Sequence, residues 1–229
     1  MASYNQIVYD ILEILKANQI TINNDIDFRH ILYSINTQRE LWANQEYNRP
    51  GRTIDPVMIQ PLGCASIITV DEAECCDIIS GCKILRTEKQ IPQPMVFNDG
   101  VELRIGPSKL TNIAFSLKNI NEIPYVTYNK YAGNMMYGFY YNNYLYFIGG
   151  KASDRLIENI KIWGVFSDPE EAANFTDCGT VNCFSYDDEY PIKGKLIPYI
   201  TGEVIKKFGV SLNIPKDDSN NSKDDNNGR

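Results

Sequence analysis

The sequence predicts an α+β fold: helices from both chain ends packed together beside an inserted antiparallel β region. Apolar residues recur at helical spacing near the two ends and fall into short, alternating runs between them. Gly, Pro and Asn punctuate the middle of the chain densely, as strands and turns require. Asn142-Asn143 stands between two aromatic runs, and Asn tolerates the positive φ of a two-residue hairpin turn. A chain of 229 residues with 43% hydrophobic content can bury a sizeable core, as one generous domain or two small ones.

The first helix is carried by Tyr4, Ile7, Val8, Ile11, Leu12 and Leu15, an i, i+3, i+4 stripe. Ser3 and Gln6 form a capping box at its start, and Asn18 ends it. Asp25 then caps a second helix from Ile26 to about Glu46, with Phe28, Ile31, Leu32, Ile35 and Trp42 on its apolar side. A short connection makes an antiparallel helix pair the simplest arrangement. Asn48-Arg49-Pro50-Gly51-Arg52 breaks the helical pattern. Strands are then expected at Ala65–Val70, Gly81–Arg86, Val101–Ile105, Ile123–Tyr128 and Lys161–Val165, together with the hairpin. Lys151 to Ile157 fits neither period.

Pairing Tyr141 with Tyr144 across the turn puts Tyr137, Phe139, Tyr141, Tyr144, Tyr146 and Ile148 on one face of the hairpin. Tyr140, Leu145 and Phe147 take the other. Such a hairpin has two apolar faces to cover, where a free-standing one leaves one face polar. Asp168-Pro169-Glu170-Glu171 supplies an N-cap, a proline at the first helical position and a box-forming Glu for a short helix ending near Phe175. The last helix runs from Pro198 to Phe208, with Ile197, Ile200, Val204, Ile205 and Phe208 apolar. Lys206 and Lys207 suit its C-terminal dipole, and Gly209 can end it. The expected organisation is a helical pair (1–48), a β-rich region (49–166) with its hairpin at 136–149, a C-terminal helical segment (167–212) and a polar tail (213–229). The tail carries too little apolar surface to fold alone.

The chemical inventory is sparse. A net charge of −7 argues against a basic nucleic-acid-reading surface, though not against DNA sliding past. No run of eighteen apolar residues and no secretory signal appear, so residence in a reducing cytosol is expected, with no membrane partner. Six cysteines should then be thiols. Of their spacings only Cys178 to Cys183 approaches that of a zinc pair, and no second pair accompanies it, so no metal is assigned. His30, the single histidine, flanks the apolar stripe of the second helix without an evident partner for acid–base work. The carboxylates at Asp71-Glu72-Ala73-Glu74 with Asp77, and at Asp187-Asp188-Glu189, read as solvated loops. A hydrolase would have to use Asp187, Glu189 or other carboxylates. No phosphate loop or dinucleotide fingerprint occurs, so no catalytic residue and no cofactor are assigned.

Several segments, in order, resemble a known family. They are Tyr4 to Lys16, Asp27 to Arg39, Cys82-Lys-Ile-Leu-Arg-Thr with Ile91-Pro92, the hairpin, Phe166 to Glu171, Asp187-Asp-Glu-Tyr-Pro-Ile and Ile197-Pro-Tyr-Ile. Together they resemble the ring proteins of the head-to-tail neck of crAss-like and related tailed bacteriophages, over residues 1 to 209. In plan the chain is also similar to the tail tubular protein A adaptor of T7-like podoviruses. The resemblance implies a non-enzymatic virion component made in the host cytoplasm: a connector ring, commonly of about twelve copies. It would sit between portal and tail, pass DNA through its channel without reading sequence, and dock other neck, tail or fibre proteins. The expected contact residues are Tyr137, Phe139, Tyr141, Tyr144 and Tyr146, with the polar tail. A carbohydrate- or protein-binding β module is the alternative.

Overall fold

A computed structural model describes residues 2–17, 27–49, 51, 53–71, 83–97, 100–107, 114–126, 135–148, 157–179 and 184–212. The α+β class is as expected. Helices α1 (Tyr4–Ala17) and α2 (Phe28–Tyr47) open the chain, and α5 (Ile197–Leu212) is the last described element. Between them lie β1 (Gln60–Asp71), β2 (Lys83–Thr87), β3 (Val96–Phe97), β4 (Gly100–Val101), β5 (Leu103–Pro107), β6 (Ala114–Leu117), the helical turn α3 (Ile123–Val126), β7 (Met135–Tyr141), β8 (Tyr144–Ile148), β9 (Asn159–Gly164) and α4 (Pro169–Ala173).

The capping box at α1 forms as read. Ser3 N–H donates to Gln6 Oε1 at 3.1 Å, and Gln6 N–H donates to Ser3 Oγ at 3.2 Å. Helix α2 starts later than expected, with Asp27 in the N-cap position; Asp25 and Ile26 lie outside the described residues. Tyr4, Ile7, Val8, Ile11 and Leu15 of α1 pack with Ile31, Leu32 and Ile35 of α2 and with Ile200 and Val204 of α5. Tyr190 and Ile192, just before α5, complete this cluster.

Seven strands form one sheet in the order β5-β9-β1-β2-β8-β7-β6, and β3 pairs with β4 as a separate ribbon. The pairs are antiparallel except β6–β7, which is parallel, so the expected antiparallel region is mostly that, with one parallel pair at its edge. The connection from Leu117 to Met135 is long enough for the crossover that a parallel pair needs. β5 and β6, the two ends of the order, lie alongside each other. The sheet is therefore rolled: Ile105 of β5 reaches within 3.3 Å of where a Cβ on Gly138 of β7 would stand. Inside the roll lie Leu62, Ala65, Leu103, Met136, Leu145, Phe147, Ile160 and Ile162. At the entry to β1 a bulge between Pro61 and Gly63 gives Gly63 a φ of +80°, the conformation that glycine adopts most freely.

Three further expectations are corrected. Val101–Ile105 is not one strand, since Glu102 separates β4 from β5. Ile123–Val126, expected as a strand, is a helical turn that follows a 3₁₀ turn at Ile120–Glu122. Asn119 Oδ1 accepts from Asn121 N–H, and Pro124 has no N–H for a ladder, so local capping outweighs the apolar alternation. Thr127 and Tyr128 lie outside the described residues. Finally, Cys64 and Cys178 are joined by a disulfide, with Cα atoms 5.9 Å apart, so the structure holds this pair bridged where thiols are expected. Compartment rules state where bridges persist; which cysteines meet is decided by topology. Cys75, Cys76, Cys82 and Cys183 lie outside the described residues.

Candidate assembly surface

The hairpin is built as its sequence dictates. Asn142 and Asn143 take φ values of 48° and 63°, and Tyr141 pairs with Tyr144 while Tyr137 pairs with Ile148. One face, with Met136, Leu145, Phe147 and Tyr140, closes the interior of the rolled sheet. The other forms its outer wall with neighbouring strands: Phe139 and Tyr146 pack with Val70 of β1 and Ile84 of β2. The opposed rings of Phe139 and Tyr146 stack 5.3 Å apart. Ile123 of α3 packs against this wall.

Of the five expected contact residues, Tyr137, Phe139 and Tyr146 are buried within the chain itself. Tyr141 and Tyr144, flanking the turn, are half-buried. The Arg86 guanidinium stands 4.4 Å from the centre of the Tyr144 ring. The hairpin's open aromatic surface is thus concentrated at its tip.

The helices contribute more. Tyr9 of α1, Tyr33 of α2 and Tyr199 of α5 are 62%, 70% and 55% exposed, and Tyr125 of α3 is 76% exposed. None of these four is among the contact residues expected from sequence. Tyr9, Tyr33 and Tyr199 fall off the apolar stripes of their helices, which is the signal that could have found them. Tyr33 also borders a groove of about 700 Å³ between α2 and α4, lined by Arg29, Lys89, Glu170 and Glu171 among others.

A buried polar seam links the helices to the β region. Arg39 is fully buried; its Nη1 donates to the Phe166 carbonyl at 2.8 Å and its Nε to the Pro191 carbonyl at 3.2 Å. Burial pulls the guanidinium pKa below its ordinary value. Tyr190 packs beside Arg39 and donates its hydroxyl to Asn36 Oδ1 at 2.8 Å, while Asn36 Nδ2 donates to Asp168 Oδ1 at 3.3 Å. Asp168 also caps α4 by accepting from Glu170 N–H at 2.9 Å.

The residues weighed for chemistry are dispersed. His30 is exposed on α2. Asp187 accepts from Asn5 Nδ2 at 2.8 Å, and Glu189 bridges Ser3 backbone to backbone, so this acidic loop ties the chain start to the approach to α5. Among the described residues no His, Cys, Asp or Glu group has an arrangement able to hold a metal ion. The cluster from Glu72 to Asp77 lies outside them.

A family model described as phage tail ring protein 2 matches residues 6–226. The chain belongs to this family. It is 26% identical over 229 residues to Ring protein 2 of Bacteroides phage crAss001, covering 97% of each protein. Phage tail ring proteins are structural parts of the virion. Among the described residues, no helix of this ring-family member is long and apolar enough to cross a membrane.

Proposed function

We propose that the chain assembles into a closed ring in the neck of the virion, joins the portal to the tail and surrounds the path of the DNA. The family match over residues 6–226 carries this reading. In it, the terminal helical segments (1–48 and 167–212) act as one unit beside the β region (49–166), and the tail (213–229) is a further contact segment. Copies of one chain closing into a ring need two different, complementary patches on each copy. The hairpin tip, with Tyr141 and Tyr144, is one patch; the exposed helical tyrosines Tyr9, Tyr33 and Tyr199 supply the other. A net charge of −7 per chain suits a passage that must not grip DNA, and no residue is assigned to catalysis or to sequence reading.

The test is negative-stain microscopy of the protein alone and mixed with its portal. Rings in either sample are expected. A compact monomer that ignores portal and binds glycans would overturn the reading in favour of a carbohydrate-binding module.

A further inference from the structure

We propose that Cys64 and Cys178 form an oxidation-dependent lock, open as two thiols while the chain folds and assembles in the host cell and closed in the released particle. The inference rests on the virion reading for its compartments, since a reducing cytosol holds thiols open and an extracellular medium lets them pair. Its structural basis is independent of that reading.

Cys178 is held in place by groups other than sulfur. The preceding Asp177, only 7% exposed, accepts from Ser66 N–H at 2.8 Å, from Ser66 Oγ at 3.2 Å and from Cys178 N–H at 2.7 Å. Ser66 lies two residues beyond Cys64 on the same strand. One carboxylate therefore clips the Asp177-Cys178 segment onto β1 beside its sulfur partner. Upstream, Ala172 and Phe175 are buried with the interior of the roll, and Lys89 Nζ donates to the Thr176 carbonyl at 2.7 Å. With these contacts intact, reduction leaves the two thiols side by side on a folded chain. Both cysteines are only half-buried, so a small oxidant can reach them.

Closure is thiol–disulfide exchange with a low-molecular-weight disulfide such as oxidised glutathione. One cysteine thiolate attacks a glutathione sulfur, forming a mixed disulfide and releasing one reduced glutathione. The second cysteine thiolate then displaces the other glutathione, so two protein thiols become one disulfide and one oxidised glutathione becomes two reduced. The bridge closes over a sequence separation of 114 residues, a span that holds every strand from β2 to β9. Restricting the unfolded chain over so long a loop should raise Tm by about 10 °C. An assembly that folds unlocked and is then covalently fastened needs no oxidant inside the cell.

The experiment is differential alkylation of the full chain expressed in a bacterial cytosol. Iodoacetamide added at lysis should label both Cys64 and Cys178, as read by peptide mass spectrometry. Unlabelled folded protein treated with oxidised glutathione should lose both sites to one bridged peptide pair and gain about 10 °C in Tm. Cys64→Ser and Cys178→Ser should each match the reduced protein in Tm and show no gain on oxidation. A bridge already present at lysis, or two thiols that still alkylate after oxidation of the folded protein, would overturn the lock. Failure of the ring reading shows separately, as absence of rings from both the reduced and the oxidised protein, and leaves the alkylation result untouched.

Discussion

Arg39 stands four residues beyond Ile35 on α2, in phase with the buried stripe, and its guanidinium serves the carbonyls of Phe166 and Pro191. Sequence reading steps from Ile35 to Trp42 because an arginine in a helix reads as a surface residue. Its partners lie more than a hundred residues away, so no local pattern could reveal them. Replacing Arg39 with Ala leaves two buried carbonyls without a donor and a cavity between the helices and the β region. Arg39→Ala should cost about 3–5 kcal/mol in denaturant unfolding, with Arg39→Lys intermediate. A loss below about 1 kcal/mol for Arg39→Ala would remove the seam from the stability argument. Tyr4 and Tyr190 give a second test, for burial raises both phenol pKa values above the ordinary tyrosine value near 10. Folded, they keep their protons at a pH where the unfolded chain releases them. Stability is therefore intact below about pH 10 and falls as pH rises above the unfolded value. Tyr4→Phe should leave stability at neutral pH nearly unchanged and flatten the alkaline fall, measured by thermal melts from pH 8 to 11.

At the scale of elements, the hairpin was legible to the residue because turn, register and face are all set within twelve consecutive positions. Asn142 at a φ of 48° makes a sharp prediction. Asn142→Val should destabilise the protein by about 1–2 kcal/mol, whereas Asn143→Gly should be neutral or slightly stabilising. Equal losses at both positions, read from urea midpoints, would contradict the turn geometry. Capping was equally legible at α1, where Ser3 and Gln6 make both bonds of the box, and at the start of α4, where Asp168 accepts from Glu170 N–H. Strand assignment failed at Ile123–Val126, where a cap and a proline outweighed apolar alternation. The parallel β6–β7 pair was beyond reach for another reason, since strand direction depends on a connection whose path no local period encodes. Close packing at Gly164 was also invisible. An added Cβ there would come within 2.5 Å of Leu103 Cδ2 and 3.0 Å of the Glu102 carbonyl. Gly164→Ala should lower Tm by forcing β5 and β9 apart.

For the whole molecule, membership of a ring family was readable from short ordered motifs, while the open surface needed the fold. The hairpin has two apolar faces to cover, and Tyr137, Phe139 and Tyr146 are covered from within the chain. In the proposed ring, the surface left for contacts is the remainder after burial: Tyr141 and Tyr144 at the tip, and one exposed tyrosine on each long helix. Tyr141→Ser with Tyr144→Ser should weaken ring formation while moving the monomer's Tm little, as should Tyr33→Ser with Tyr199→Ser. Sedimentation checks assembly and calorimetry checks folding; unchanged rings in both double variants would send the search to other surfaces.

The rolled sheet has a consequence for how such copies can stop adding. A flat sheet ends in two rows of unpaired backbone groups, each a template for another chain to extend it without limit. Here β5 and β6 lie against one another, so the two margins of the sheet face inward, toward each other. In the proposed ring, copies that meet away from these margins do so through side chains, whose shapes and charges can specify one geometry and reject others. Growth by indiscriminate strand addition, the route to fibrils, is disfavoured at these two margins.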